Sequence, residues 1–154
     1  MKQTSNVERR TPNAEFLNGA RFVQELPSSG YGNPKRPKFD LEDRLLNFAV
    51  QVIELTEILP NTRTANHIAG QLLRSGTSPY GNHGELESAE SRKDFIHKLR
   101  ICLKELRETR RWLRLLARLT NIKAPPTLLE CLNEAEELIR IFVASIRTSE
   151  RNNT

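Results

Sequence analysis

The chain has 154 residues, a formal net charge of +5, 28% charged and 37% hydrophobic residues, and an isoelectric point near 9.6. That length suits one domain with a single core. No run of about 18 apolar residues could span a bilayer, and the N-terminus lacks the apolar stretch of a secretory signal. A cytoplasmic protein with no membrane partner is therefore expected.

Residues 1–38 carry a net charge of +4 and contain Pro12, Pro27, Pro34, Pro37, Gly19, Gly30 and Gly32 without a sustained apolar period. The stretch "PSSGYGNPKRPK" buries too little to offset its ordering entropy. The segment reads as a disordered or weakly ordered basic tail with at most a short helix around Phe16 to Leu26. The folded domain is expected over residues 39–148, with 149–154 a disordered C-terminus.

From Leu41 the pattern changes. Leu41, Leu45, Phe48, Val52, Leu55 and Leu59 are spaced 4, 3, 4, 3, 4, an amphipathic helix that Pro60 stops. Leu46, Ala49, Val50 and Ile53 widen its apolar stripe beyond one seam, which predicts a second packing partner. Asn61 or Thr62 can cap a second helix with Ala65, Ile68, Ala69, Leu72 and Leu73, whose small residues permit close backbone approach. At its far end lies "LRSGTSPYGNHGE", rich in glycine, with Ser78–Pro79 placed as a cap and first helical position that restart or kink a helix.

The third helix opens on Ser91 with Asp94 three residues on, a capping-box-like pair. Phe95, Leu99, Cys102, Leu106, Thr109, Leu113 and Leu116 then repeat 4, 3, 4, 3, 4, 3. After "NIKAPP", Leu128, Leu132, Ala135, Ile139, Phe142 and Ile146 make a fourth helix. No strand signal of any length is present. The fold class is all-α, an antiparallel up-and-down four-helix bundle with heptad-like seams.

The charge concentrates on the third helix. Residues 39–91 carry a net −5, residues 92–118 a net +7 and residues 119–154 a net −1. Lys93, His97, Arg100, Lys104, Arg107, Arg111, Arg114 and Arg118 share one 4, 3, 4, 3 register on the face away from the seam. They span roughly 37 Å at about 1.5 Å per residue. Asp94, Glu105 and Glu108 fall on none of these positions. Like charges four apart each cost a helix roughly 0.2–0.5 kcal/mol, and a polyanion turns that penalty into attraction and counterion release. The plainer alternative is a solvated face, partly neutralised by the acidic first helix (Asp40, Glu42, Asp43, Glu54, Glu57) of the same or a neighbouring subunit. The nucleic-acid-binding set is Lys93, Arg100, Lys104, Arg107, Arg111, Arg114 and Arg118.

Catalytic and metal chemistry find little support. The glycine-rich stretch has no lysine and no preceding strand, so it is not a Walker loop. Ser78, His83 and Glu85 lie within one local stretch without an oxyanion signature. Cys102 and Cys131 sit in apolar helical patterns and read as reduced, buried thiols. No cysteine or histidine pair has zinc-ligand spacing. Catalytic residues, metal and cofactors are all expected to be none. Trp112 reads equally as an interface anchor or as core.

Gln71 to Leu116, with "QLLRSGTS", Asn82, Glu85, "KDFIHKL", "KELRET" and "WLRLL", resembles the bacterial four-helix-bundle protein family. That family includes S23-like proteins encoded within intervening sequences of large-subunit ribosomal RNA genes. The resemblance extends from about Phe39 to Arg147. Ser78, Asn82 and Glu85 match its Ser-x-x-x-Asn-x-x-Glu run, so the glycine-rich stretch is a feature of the bundle. Pro79, Gly81 and Gly84 depart from the pattern and predict a broken second helix. The resemblance implies a homopentameric ring without enzymatic activity. It also implies a fold shared with the accessory variability protein of diversity-generating retroelements, a basic pentamer that works with a reverse transcriptase and nucleic acid.

These readings converge on a non-enzymatic homo-oligomer that binds RNA or DNA through the third-helix stripe, as an accessory to a nucleic-acid-processing partner such as a reverse transcriptase. The alternative is a protein-interaction scaffold or adaptor with no direct nucleic-acid binding.

Overall fold

The computed structural model describes residues 41–123 and 125–151, and the expectations for the basic tail lie outside them. Four helices follow in order: α1 (Leu41–Glu57), α2 (Arg63–Gly84), α3 (Arg92–Leu116) and α4 (Pro126–Arg151). Short connections make each helix pack on the next, and α4 returns to α1 across the thinnest seam. The diagonal pairs, α1 with α3 and α2 with α4, bring no Cα atoms within 8 Å of each other among the described residues. This is the up-and-down bundle that the seam spacings predict.

The seams become the core. Leu45, Phe48, Val52 and Leu55 of α1 meet Ala65, Ile68 and Leu72 of α2. Leu99, Cys102, Leu106, Leu113 and Leu116 of α3 and Leu128, Cys131, Ala135, Leu138 and Phe142 of α4 complete it. Burial of each such leucine or phenylalanine contributes about 1.5–3 kcal/mol relative to exposure. Both cysteines are free and buried, and burial pushes each thiol up to about 11. On the thin α1–α4 seam, Arg44 grips Glu134 with two hydrogen bonds of 2.8 and 2.7 Å.

The helix ends follow their capping residues. Thr62 is extended, and its hydroxyl accepts from the Ala65 amide at 3.2 Å. Ser91 is likewise extended and accepts from the Asp94 amide at 3.1 Å. Asp94 in turn accepts from the Glu90 amide and from Lys98, and the Lys98 hydrogen bond holds its carboxyl below the ordinary range. Both caps satisfy amides that would otherwise lack helical partners.

Two boundaries differ from the sequence reading. The second helix is not restarted at Ser78–Pro79, because α2 runs unbroken through them to Gly84. Pro79 denies the Ser75 carbonyl its helical donor, but its ring is buried in the bundle, and the Cys102 thiol lies 3.8 Å from its carbonyl oxygen. Ser78 does not cap a helix; its hydroxyl accepts from the Asn82 side chain at 2.9 Å, one turn on. At the other end α4 continues to Arg151, past the boundary set at residue 148.

Small residues bring α1 and α2 together. A Cβ built on Gly76 would sit 2.7 Å from Cγ1 of the fully buried Val52. Between α2 and α3 the contact includes a buried polar pair. Thr109 Oγ1 lies 3.0 Å from Ser75 Oγ and 2.9 Å from the Glu105 carbonyl, while Ser75 donates to the Gln71 carbonyl at 2.9 Å. Both hydroxyls are fully buried.

Candidate nucleic-acid interface

The seam of α3 turns toward the centre of the bundle, and the remainder of the helix surface follows from that orientation. Lys93, Arg100, Lys104, Arg107, Arg111, Arg114 and Arg118 are all exposed, as is His97. Lys93 to Arg114 lie within α3, whereas Arg118 falls in the turn after Leu116. The stripe leans toward α4, where Arg100, Lys104, Arg107 and Arg111 border an open groove of about 600 Å³. Leu103 of α3 and Ile146 of α4 contribute apolar surface to that groove, and Glu108 its one carboxylate.

Glu108 does not neutralise the stripe. It pairs with Arg74 of α2 on the other flank of α3 and accepts from Trp112 Nε1 at 3.5 Å. Arg74 also approaches Glu105, whose buried Oε2 lies 3.7 Å from it without a hydrogen bond. Trp112 is half-buried against the core and meets His67 edge-on, with ring centroids 5.7 Å apart and planes at 75°. Trp112 thus belongs to the α2–α3 flank and leaves the stripe without an aromatic platform.

Among the described residues, Arg100 is the one stripe residue in an ion pair. Its Nη2 lies 2.6 Å from Glu150 Oε1 near the end of α4. The partner of Arg100 is thus on α4 and not on the acidic first helix, which stands diagonal to α3. The partner acid sits on α4, 50 positions along the chain, a distance that no heptad count on α3 could reveal.

Sequence reasoning also passed over Arg110. It lies three residues after Arg107 and four before Arg114, so it adjoins the stripe on the α4 side. Arg110 is half-buried, and its Nε is buried without a hydrogen-bond partner. The spacing was visible, but Arg110 stands one position off the register that defined the stripe.

Chemically, this surface is a row of cationic hydrogen-bond donors carried on one helix. Among the described residues no cluster of three metal-ligating side chains occurs. No described helix is long and apolar enough to cross a membrane.

Comparison with known proteins adds the family. Residues 38–144 match the family model of the 23S rRNA-intervening sequence protein. A crystal structure of a protein of unknown function from the S23 ribosomal protein family of Bacteroides thetaiotaomicron is similar, with a TM-score of 0.62 and 38% sequence identity. The match covers 68% of this chain and 96% of that one. No curated protein matches the chain. Together with the four-helix architecture, the matched span shows that the chain belongs to the 23S rRNA-intervening sequence protein family.

Proposed function

We propose that the protein is a non-enzymatic, self-associating helical bundle that binds the phosphate backbone of RNA or DNA along α3. The observation that carries this reading is the row of exposed, in-register Lys and Arg side chains, of which only Arg100 is ion-paired among the described residues. The pairs Lys104/Arg107, Arg107/Arg111 and Arg111/Arg114 repel one another on the helix surface. A helix gains nothing from this arrangement in isolation, whereas a polyanion releases counterions on meeting it. Without aromatic side chains on the stripe, binding rests on phosphates and not on stacked bases.

Self-association rests on α1. Leu46, Val50 and Ile53 are 40%, 43% and 41% exposed at helical spacing, an apolar row on the outside of the bundle. A ring of five copies, located in the cytoplasm and serving a nucleic-acid-processing partner such as a reverse transcriptase, is the form we assign to it. The same apolar row favours a second reading, a scaffold whose partner is another protein. Light scattering on the purified protein tests self-association, and a mass at the 17.7 kDa chain value at micromolar concentration would refute it.

The stripe is tested by replacing Arg100, Lys104, Arg107 and Arg111 with Gln, a good helix former. Binding of labelled RNA and DNA, read by fluorescence anisotropy, should weaken similarly across sequences. The salt dependence should flatten by roughly 0.9 unit of slope for every phosphate no longer neutralised. Helicity should persist because all four side chains are exposed. Unchanged binding in the quadruple variant would refute the proposal, and loss of a protein partner without any nucleic-acid binding would favour the scaffold.

A further inference from the structure

The stripe has two ends, and they differ. From Lys104 to Arg114 its side chains have no carboxylate partner among the described residues, whereas Arg100 is held by Glu150. Glu150 is placed there by packing. One turn earlier, Ile146 is only 8% exposed and joins the core, so the last turns of α4 are anchored against α3. Glu150 also borders a second open groove of about 610 Å³, with Lys93, His97 and Arg100 on its other side. The other carboxylate bordering that groove, Asp94, is already engaged by Lys98 at 3.1 Å. These last turns of α4 lie beyond residue 144, where the family match ends.

We infer that Glu150 is a specificity-determining residue that sets the end of the nucleic-acid track: it occupies Arg100 and repels phosphate, so the bound backbone runs over Lys104 to Arg118 and stops short of Lys93. This inference rests on the reading of the stripe as a phosphate-backbone site. Its physical basis is a competition at one guanidinium. A phosphate reaching Arg100 must displace the Glu150 carboxylate, which then remains next to the incoming anion. The pair is exposed, with side chains 62% and 44% accessible, so the contact is open to exchange and is not a structural tie. Removing the carboxylate should therefore extend the track by one phosphate without altering the fold.

The test compares wild type, Glu150→Gln, Arg100→Gln and the double variant by fluorescence anisotropy. The probes are a labelled 20-base-pair RNA duplex and a DNA duplex of the same sequence, at several salt concentrations from 50 to 200 mM. Glu150→Gln should bind more tightly and gain about 0.9 unit of salt slope, so its advantage grows about 3.5-fold from 200 to 50 mM salt. In the Arg100→Gln background the same substitution should leave the slope unchanged. An equal gain in both backgrounds would mean a general charge effect and overturn the inference, as would an unaltered slope in Glu150→Gln. If wild type binds and Glu150→Gln behaves identically, the inference alone fails. Should none of the four proteins bind either duplex at 50 mM salt, the proposed function fails as well. Binding by Glu150→Gln where wild type shows none would overturn both, since the wild-type track over Lys104 to Arg118 must bind by itself.

Discussion

Substituting Gly76 by alanine tests how closely α1 and α2 approach, and its outcome is set by two opposed terms. Alanine is favoured over glycine in a helix interior by about 1 kcal/mol. Against this, the new methyl would lie 2.7 Å from Cγ1, 3.0 Å from Cγ2 and 3.1 Å from Cβ of Val52. Val52 is fully buried in the core and cannot swing into solvent. Overpacking of this kind costs about 1–3 kcal/mol. The expected net effect is a destabilisation of about 1 kcal/mol, a few degrees in thermal midpoint for a domain of this size. Gly70 supplies the control on the same helix, since a Cβ there meets nothing within 4 Å. Gly70→Ala should stabilise by about 0.5–1 kcal/mol. In a Val52→Ala background both Cγ contacts vanish, and Gly76→Ala should become neutral or stabilising. The assay is urea unfolding followed by circular dichroism for the three single variants and the Val52/Gly76 double. If Gly76→Ala stabilises as much as Gly70→Ala, or if the Val52 and Gly76 effects simply add, the close approach plays no energetic role and the reasoning fails.

Two further outcomes follow from the buried polar groups. Thr109→Val and Ser75→Ala should each destabilise by about 1 kcal/mol, and the double variant should cost less than the sum because they share one hydrogen bond, as a double-mutant cycle in urea would read. Cys102 and Cys131, buried and with thiols pushed up to about 11, should resist iodoacetamide at pH 8 and react only when urea unfolds the chain. Since an unfolded thiol ionises near its ordinary value of 9.0, their contribution to stability is complete below about pH 9 and declines as pH rises toward 11.

Much of the fold was legible because the seam of each helix is written in its own residues. The 4, 3 spacing from Leu99 to Leu116 needs no tertiary knowledge to yield a buried face, and Ser91 marks where that helix begins. The basic stripe was legible for the same reason, since a register fixed by the seam places the exposed positions too. Pro79 was not legible. Local rules count the hydrogen bond it removes, but Pro79 is buried in the bundle, with its carbonyl 3.8 Å from the Cys102 thiol of α3. Likewise, Gly81 and Gly84 weaken helix propensity without preventing a helix held by packing from reaching Gly84.

The stripe's partners show where sequence reasoning stops. Net charge assigns the acids of α1 as the natural counterweight to α3, because α1 belongs to the acidic stretch before residue 92. In an up-and-down bundle the first and third helices are diagonal, so α2 and α4 are the helices that flank α3. On the α2 flank the balance is reversed, with Glu105 and Glu108 facing Arg74, which consumes two of the three acids of α3 away from the stripe. On the α4 flank the stripe's one ion pair among the described residues is with Glu150. Topology therefore divides the charges of α3 into a compensated side and an uncompensated one. The excess positive charge of the third helix lies along its exposed side, part of it lining the groove toward α4.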